Sequence, residues 1–108
     1  EVKNSTISNN SKVSHLAYVG DADIGKNCNI GCGAIFVNYN GKAKFRTFVG
    51  DGSFIGSNVN VIAPVSIANK SYICAGTTID QSTKEYDFVI GRPKATVKEN
   101  YSAKYLGE

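Results

Sequence analysis

The chain has a single histidine, His15, and a short basic and aromatic segment at residues 37–47. An imidazole has a pKa near neutrality, so it is suited to act as a general base that removes a proton from a nucleophile. The segment carries Lys42, Lys44 and Arg46, and such side chains can hold the phosphate groups of a ligand. These residues predict proton transfer beside a phosphate-bearing ligand. The alternative for both features is an ordinary surface position.

A strict repeat must position these residues. In the second half of the chain, aliphatic residues recur at every sixth position, at Val49, Ile55, Val61, Ile67, Ile73 and Ile79. A spacing of six overshoots the period of an α-helix, which is about 3.6 residues, and a half-buried strand would need apolar residues at every second position. A hexapeptide repeat is typical of a β-helix. The sequence therefore predicts an all-β chain wound as a parallel β-helix.

The same spacing begins earlier and is interrupted between its two halves. It runs, with one step that is a residue short, through Ile7, Val13, Val19, Ile24, Ile30 and Phe36. The segment between Phe36 and Val49 is too long for one hexad and contains the turn signal Asn40-Gly41. We therefore predict a β-helix over residues 1–79 with an extruded loop at 37–48, and an irregular C-terminal arm at 80–108.

The phase of the repeat predicts which residues share an edge. If three hexads make one triangular coil, equivalent slots three hexads apart lie above one another. The third slot of the relevant hexads holds His15, Cys32, Ser57 and Ala75, which should form one column. The extruded loop should leave from the next edge of the same coil. Small side chains beside His15 leave room for a long thin ligand.

Composition narrows the classes of function. The net charge of +3 permits a phosphate-bearing ligand, but no basic run with interleaved aromatics predicts nucleic-acid binding. No apolar run is long enough to cross a bilayer, and no signal peptide opens the chain. The three cysteines, Cys28, Cys32 and Cys74, form no CxxC motif and are interpreted as reduced thiols of a cytoplasmic protein.

Several stretches resemble the acetyltransferase domain of the bacterial bifunctional N-acetylglucosamine-1-phosphate uridyltransferase/glucosamine-1-phosphate N-acetyltransferase. They are residues 11–22 around His15, 29–33, the Asn38-Tyr39-Asn40-Gly41 loop with Lys44, 54–57 and 63–65. The resemblance covers about residues 2–92. It implies a left-handed parallel β-helix, a homotrimer with active sites between subunits, and acetyl transfer from acetyl-CoA to the amine of glucosamine 1-phosphate. It implies no metal for this step.

The resemblance also implies roles for individual residues. His15 would be the general base. The amino sugar and its phosphate would be contacted by Lys3, Tyr18, Asn29 and Lys44. The acetyl-CoA site would be lined by Cys32, Asn38, Tyr39, Ser57, Ala75 and Arg92. Backbone N–H groups of residues 31–33 or 38–39 would stabilise the charge that develops on the thioester carbonyl oxygen.

This chain departs from the family pattern at Asn40, where Asp is usual, and at Cys32, where Ala is usual. It also contains no N-terminal uridyltransferase domain, and an upstream basic residue that the family uses for phosphate is absent. The alternatives are another hexapeptide-repeat acyltransferase or a truncated, inactive fragment of the bifunctional enzyme. A β-helical carbonic anhydrase would need three zinc-binding histidines, and this chain has only one, which argues against that class. An ice-binding module would need regular rows of Thr on a flat face, and the repeats contain only scattered Thr residues.

Overall fold

The structure is a computed structural model that describes residues 1–108 as a coil of short strands. The strands in chain order are β1 Val2–Lys3, β2 Thr6–Ile7, β3 Lys12–Val13, β4 Val19–Gly20, β5 Ala22–Ile24, β6 Asn29–Ile30, β7 Ile35–Val37, β8 Thr47–Val49, β9 Phe54–Ile55, β10 Asn60–Ile62, β11 Ser66–Ile67, β12 Tyr72–Ile73, β13 Thr78–Ile79 and β14 Phe88–Val89. One short helix, α1 Ser102–Leu106, follows them. It is the only helix, and no helix of the chain is long and apolar enough to cross a membrane.

Every strand pair is parallel, and the strands stack into three faces. The first face holds β1–β4 and β7–β10–β13, which are joined by a bridge between Tyr18 and Ile35. The second face holds β2–β5–β8–β11, and the third holds β3–β6–β9–β12–β14. Consecutive strands belong to different faces, so the chain makes one triangular coil with every three strands, as the sequence predicts.

The repeating aliphatic residues fill the inside of the triangle. Registers such as Ile24 with Val49 and Ile30 with Ile55 place equivalent aliphatics directly over one another. Sixteen buried residues form one continuous core, and Ile30, Ile55 and Ile73 have no exposed surface. Burial of this apolar column is the main stabilising term, because each short strand alone makes only a few backbone hydrogen bonds.

Two kinds of residue are needed at the corners: Asn and Asp with left-handed backbone conformations, and glycines that let successive coils approach closely. Several Asn and Asp residues adopt left-handed backbone conformations, among them Asn10, Asp21 and Asn58, as the turn chemistry predicts. The glycines that follow inward aliphatics do not need a positive φ. A Cβ on Gly31 or Gly56 would instead lie 2.6 Å from a backbone nitrogen of the next coil. These glycines are therefore required for the close approach between coils and not for turn geometry, although the general preference of glycine for turns would have suggested a turn role.

The ends of two predicted segments differ from the sequence-based expectation. The extruded loop occupies residues 38–46, between β7 and β8. The β-helix does not end at Ile79, because β14 pairs with β12 and Val89 lies over Ile73. The six-residue spacing did not predict this last strand, because the sixth position after Ile79 is Glu85 and not an aliphatic residue. On the second face the hydroxyls of Ser82 and Thr83 accept hydrogen bonds from Ser66 N and Ala68 N and replace a strand.

We expect Ile55→Ala to lower the free energy of unfolding by about 2–5 kcal/mol, because it opens a cavity in a column that cannot collapse. Ile62→Ala on the neighbouring strand is the matched control, since Ile62 is 36% exposed. Its effect should stay below about 1.5 kcal/mol. Urea unfolding at one fixed chain concentration measures both. Equal losses for the two variants would contradict a shared inner column.

Candidate functional site

The predicted column exists. His15, Cys32, Ser57 and Ala75 occupy the corners that connect the third face to the first. Backbone hydrogen bonds join successive members: Gly33 N donates to His15 O, Asn58 N to Cys32 O, and Gly76 N to Ser57 O, at 2.9–3.0 Å. All four residues are exposed. The prediction from repeat phase is confirmed for their arrangement, and their chemical roles stay predictions.

A row of unpaired backbone donors runs along the same edge. The N–H groups of His15, Cys32, Ser57 and Ala75 donate to no acceptor of the chain, whereas the residue on either side of Cys32 does donate. Gly31 N bonds to Ile55 O and Gly33 N to His15 O. Of the N–H groups of residues 31–33, only that of Cys32 is therefore free for a developing negative charge. The row can bind carbonyl oxygens of an extended ligand.

Arg92 lies at the end of the column that is formed by Ala75. Its Nη1 donates to Ala75 O at 2.7 Å. Ser57, Ala75 and Arg92, three of the predicted cofactor-binding residues, line one open cavity of about 390 Å³. The family resemblance had implied that Arg92, from the C-terminal segment, belongs with the column residues. Its position beside Ala75 is observed, and its role in binding a cofactor stays a prediction. The guanidinium supplies a fixed positive charge at this end of the groove.

Stacked aromatic rings form the other wall of this cavity and were missed in the sequence. Phe54 and Tyr72 stack with ring centroids 4.5 Å apart, and Tyr72 and Phe88 with centroids 5.3 Å apart. Each ring precedes an inward aliphatic of the third face, so the phase argument applied to that slot would have found Phe54 and Tyr72, which are three hexads apart. It would not have found Phe88, which follows Tyr72 by 16 residues and lies outside the six-residue spacing. The rings make this side of the cavity apolar.

The extruded loop is a small hairpin with its own hydrogen bonds. Tyr39 and Lys44 form an antiparallel bridge, and Phe45 N donates to Asn38 O at 2.8 Å. At the tip, Asn40 Oδ1 accepts from the backbone N–H groups of Lys42 and Ala43, each at 2.9 Å. Asn40 therefore provides the acceptor that closes the turn, which is the function an Asp would serve at this position.

A second cluster forms where the loop leaves the coil. Asn38 Nδ2 donates to Asp21 Oδ2 at 2.7 Å and to Tyr18 Oη at 3.2 Å. The other Asp21 oxygen accepts from the side chain of Asn4. Lys3 is connected through its backbone, because Asp21 N donates to Lys3 O at 3.0 Å. The structure therefore brings together Lys3, Tyr18 and Asn38, which were predicted to bind two different ligands.

The remaining predicted residues are distributed around these two groups. Tyr39 and Lys44 are exposed on the loop, and Tyr39 retains 55% of its accessible surface. Asn29 lies on the third face, in register with Lys12 and Phe54, away from the loop. The column occupies one edge of the coil and the loop cluster the next edge. One chain alone does not bring all the predicted residues to a single point.

Comparisons with known proteins show which proteins the chain is similar to. Residues 46–81 match the family described as bacterial transferase hexapeptide (six repeats). The chain is a hexapeptide-repeat domain. It is 48% identical over 104 residues to the bifunctional protein GlmU of Acetivibrio thermocellus, a match that covers 96% of the chain and 23% of that protein. It is also 52% identical over 110 residues to the GlmU of Levilactobacillus brevis, covering 100% and 24%.

The hexapeptide-repeat domain spans about a quarter of the length of these relatives and matches their C-terminal region. Solved structures show the fold. Serine acetyltransferase isoform 3 of Entamoeba histolytica, solved with cysteine, superposes with a TM-score of 0.75 at 22% identity, covering 94% of this chain and 38% of that one. PerB of Caulobacter crescentus, solved with CoA and GDP-perosamine, gives a TM-score of 0.57 at 21% identity, covering 82% and 42%. The fold is the left-handed parallel β-helix.

Two carboxylates hold the loop of the hexapeptide-repeat domain. Hydrogen bonds from Asn4 and Asn38, aided by the charges of Lys44 and Arg46, lower the pKa of Asp21. Arg46 donates from Nε and Nη2 to the two oxygens of Asp23 at 2.8 Å, and this pair lowers the pKa of Asp23. Sequence reasoning missed both aspartates, because only the fold brings them beside the loop.

Acid should release the loop. Both folded-state pKa values lie below the ordinary carboxyl value of about 3.9, so the contacts persist above that pH and are lost as the pH falls through the folded-state values. The NMR signals of the Asn38 side-chain amide should stay constant from about pH 7 to pH 5 and move only below about pH 4. In Asp21→Asn this titration should disappear. Movement of the wild-type signals above pH 5 would contradict the assignment.

Proposed function

We propose that this domain transfers the acetyl group of acetyl-CoA to the amine of glucosamine 1-phosphate. The product, N-acetylglucosamine 1-phosphate, serves UDP-N-acetylglucosamine and cell-wall precursor synthesis. The observation that carries the proposal is the identity of about 50% to GlmU proteins over nearly the whole chain. The column headed by His15, with Arg92 at its far end, supplies side chains that suit this chemistry.

The reaction needs a base. At neutral pH the amine of the sugar is largely protonated, and it becomes a nucleophile only after losing a proton. The imidazole of His15 is exposed at the head of the column and takes that proton. The neutral amine nitrogen then forms a bond to the thioester carbonyl carbon as the carbon–sulfur bond breaks, and the second proton that the nitrogen loses passes to water. The proton held by His15 passes to the departing sulfur, so CoA leaves as a thiol.

The column provides the binding track for acetyl-CoA. Its free N–H groups pair with carbonyl oxygens of the pantetheine arm, and that of Cys32 is the candidate for the thioester oxygen. Ser57 and Ala75 have small side chains that leave space for the arm. Arg92 attracts the phosphates at the far end of the 390 Å³ cavity. This donor set fits acetyl-CoA without a metal ion.

The loop cluster provides the sugar side of the site. Lys3 and Lys44 are exposed cations that suit a sugar phosphate. Tyr18 offers its hydroxyl to the sugar, and Asn29 adds an amide from the third face. Asn38 and Tyr39 stand at the base of the loop, where they reach the acetyl-CoA side of the same site.

A homotrimer unites the two groups. Because the column and the loop occupy different edges of one coil, the column of one subunit meets the loop of its neighbour when three coils pack side by side. The exposed faces of a narrow solenoid also favour such packing. We propose that the trimer works in the cytoplasm, where the three free cysteines of each subunit stay reduced.

His15→Ala should lower the rate of acetyl transfer by about 10²–10⁴-fold, because the base is lost. Binding of CoA and assembly of the trimer should be retained, since the imidazole makes no contact that holds the fold. Ser14→Ala, at the neighbouring exposed position, is the control. Release of CoA thiol with glucosamine 1-phosphate, with serine and with a sugar hydroxyl as acceptors measures activity and acceptor class. Wild-type turnover in His15→Ala would refute the assignment of the base.

Mixing two variants, each with little activity at acetyl-CoA concentrations far below the wild-type KM, should restore activity under those conditions. Column-defective His15→Ala and loop-defective Asn38→Ala chains, unfolded together and refolded in equal amounts, should regain about a quarter of wild-type activity, because about one site in four then combines an intact column with an intact loop. Each variant refolded alone is the control. Absence of recovery in mixed trimers would place His15 and Asn38 of one site on the same subunit.

A further inference from the structure

Asn38 uses both hydrogens of its side-chain amide inside the protein. One bonds to Asp21 Oδ2 at 2.7 Å and the other to Tyr18 Oη at 3.2 Å. No group of the chain donates to Asn38 Oδ1, and no group accepts the Tyr18 hydroxyl hydrogen. The site therefore presents a carbonyl acceptor from Asn38 and an O–H donor from Tyr18.

Asp21 determines that Asn38 presents an acceptor and Tyr18 a donor to a ligand. A carboxylate only accepts hydrogen bonds, so the amide of Asn38 must turn its nitrogen toward Asp21. The opposite orientation would place the Asn38 carbonyl oxygen against the carboxylate. The second Asp21 oxygen already accepts from Asn4. An isosteric Asn at position 21 has one oxygen for two donors, and its own amide nitrogen would face one of them.

The backbone holds Asp21 at one place. Its φ is 50°, its N–H donates to Lys3 O, and its carbonyl accepts from Thr47 N, both at 3.0 Å. The preceding residue, Gly20, leaves the space in which the two side chains meet, since a Cβ there would collide with both Tyr18 Oη and Asn38 Nδ2. The carboxylate thus has a fixed position from which to orient the amide.

We propose that Asp21 is a positioning residue, which orients the Asn38 amide and, through it, the Tyr18 hydroxyl, so that the site presents an acceptor beside a donor. This inference rests on the proposed function, because it concerns the same site. The matching ligand carries an N–H group facing Asn38 and an oxygen facing Tyr18. An amide of a pantetheine arm supplies the first, and a sugar oxygen supplies the second.

The role of Asp21 is separable from attachment of the loop. Arg46 binds Asp23 through two hydrogen bonds of 2.8 Å and donates to Asn4 O at 3.0 Å. This second attachment keeps the base of the loop in place when Asp21 loses its charge. Asp21→Asn therefore changes the orientation of one amide and retains the loop.

The test compares Asp21→Asn with Asp51→Asn. Asp51 also follows an aliphatic–glycine pair and accepts from a backbone N–H, that of Lys26, but it contacts no residue of the proposed site. We expect Asp21→Asn to raise KM for acetyl-CoA about tenfold while kcat changes less than about threefold. Asp51→Asn should stay within about twofold of wild type in both. Equal kinetics for the two variants would overturn the proposal.

A double-mutant cycle separates positioning from a general structural effect. In an Asn38→Ala background, Asp21→Asn should raise KM by less than about twofold further, because the oriented amide is already gone. Additive effects would overturn the proposal. Melting temperatures of all variants are measured in parallel. If Asp21→Asn does not fold, Asn38→Ala, which removes the oriented amide itself at a half-buried position, is the second variant, and an unchanged KM for acetyl-CoA in it would overturn the proposal.

An NMR measurement distinguishes failure of this inference from failure of the proposed function. The Asn38 side-chain amide signals should move in Asp21→Asn and stay unchanged in Asp51→Asn, whether or not the chain acetylates anything. Unchanged signals in Asp21→Asn would refute the positioning role. A wild-type chain that neither binds CoA nor transfers acetyl groups, with the expected NMR change present, would refute the proposed function and leave the orientation of Asn38 confirmed.

Discussion

The parallel register between successive coils is the constraint on which the whole molecule depends. Ile7 pairs with Ile24, Ile24 with Val49 and Val49 with Ile67, at separations of 17, 25 and 18 residues. The longer step contains the extruded loop, yet the pairing resumes in phase on its far side. A segment can be inserted at a corner, because corner residues are not part of the inner aliphatic column. The column stays continuous whatever the length of the inserted segment.

That register makes position in the repeat equivalent to position in space. Residues of one slot form a straight row, and the identity of the slot decides whether the row faces the core, a flat face or an edge. The row of His15, Cys32, Ser57 and Ala75 is an edge row, so its backbone N–H groups find no partner in the neighbouring coil. A track of donors results from the geometry of the corner, without any dedicated binding motif.

Polar contacts then fix the shape of the extruded loop. Asp21 and Asp23 hold the two ends of the loop through Asn38 and Arg46. Both carboxylates lie at the surface, where single ion pairs contribute little to stability. Their importance lies in orientation, because a hairpin that projects from the coil has few apolar contacts to fix its side chains. The aspartates thus connect the rigid repeat to the residues proposed to contact ligands.

The sequence by itself determined the parallel coil, the core and the edge column, because a six-residue period buries the aliphatic residues only if the chain turns after every hexad. The hand of the coil came from the family resemblance and not from the spacing. The sequence also located the loop, since the interruption after Phe36 had to be extruded. It did not determine the last coil, in which the hydroxyls of Ser82 and Thr83 replace a strand before Phe88–Val89, or the complete aromatic wall of the cavity. Nor did it show that Asp21 meets Asn38, 17 residues away. Those contacts depend on side chains that come together only after the coils stack, so the tertiary structure alone decided them.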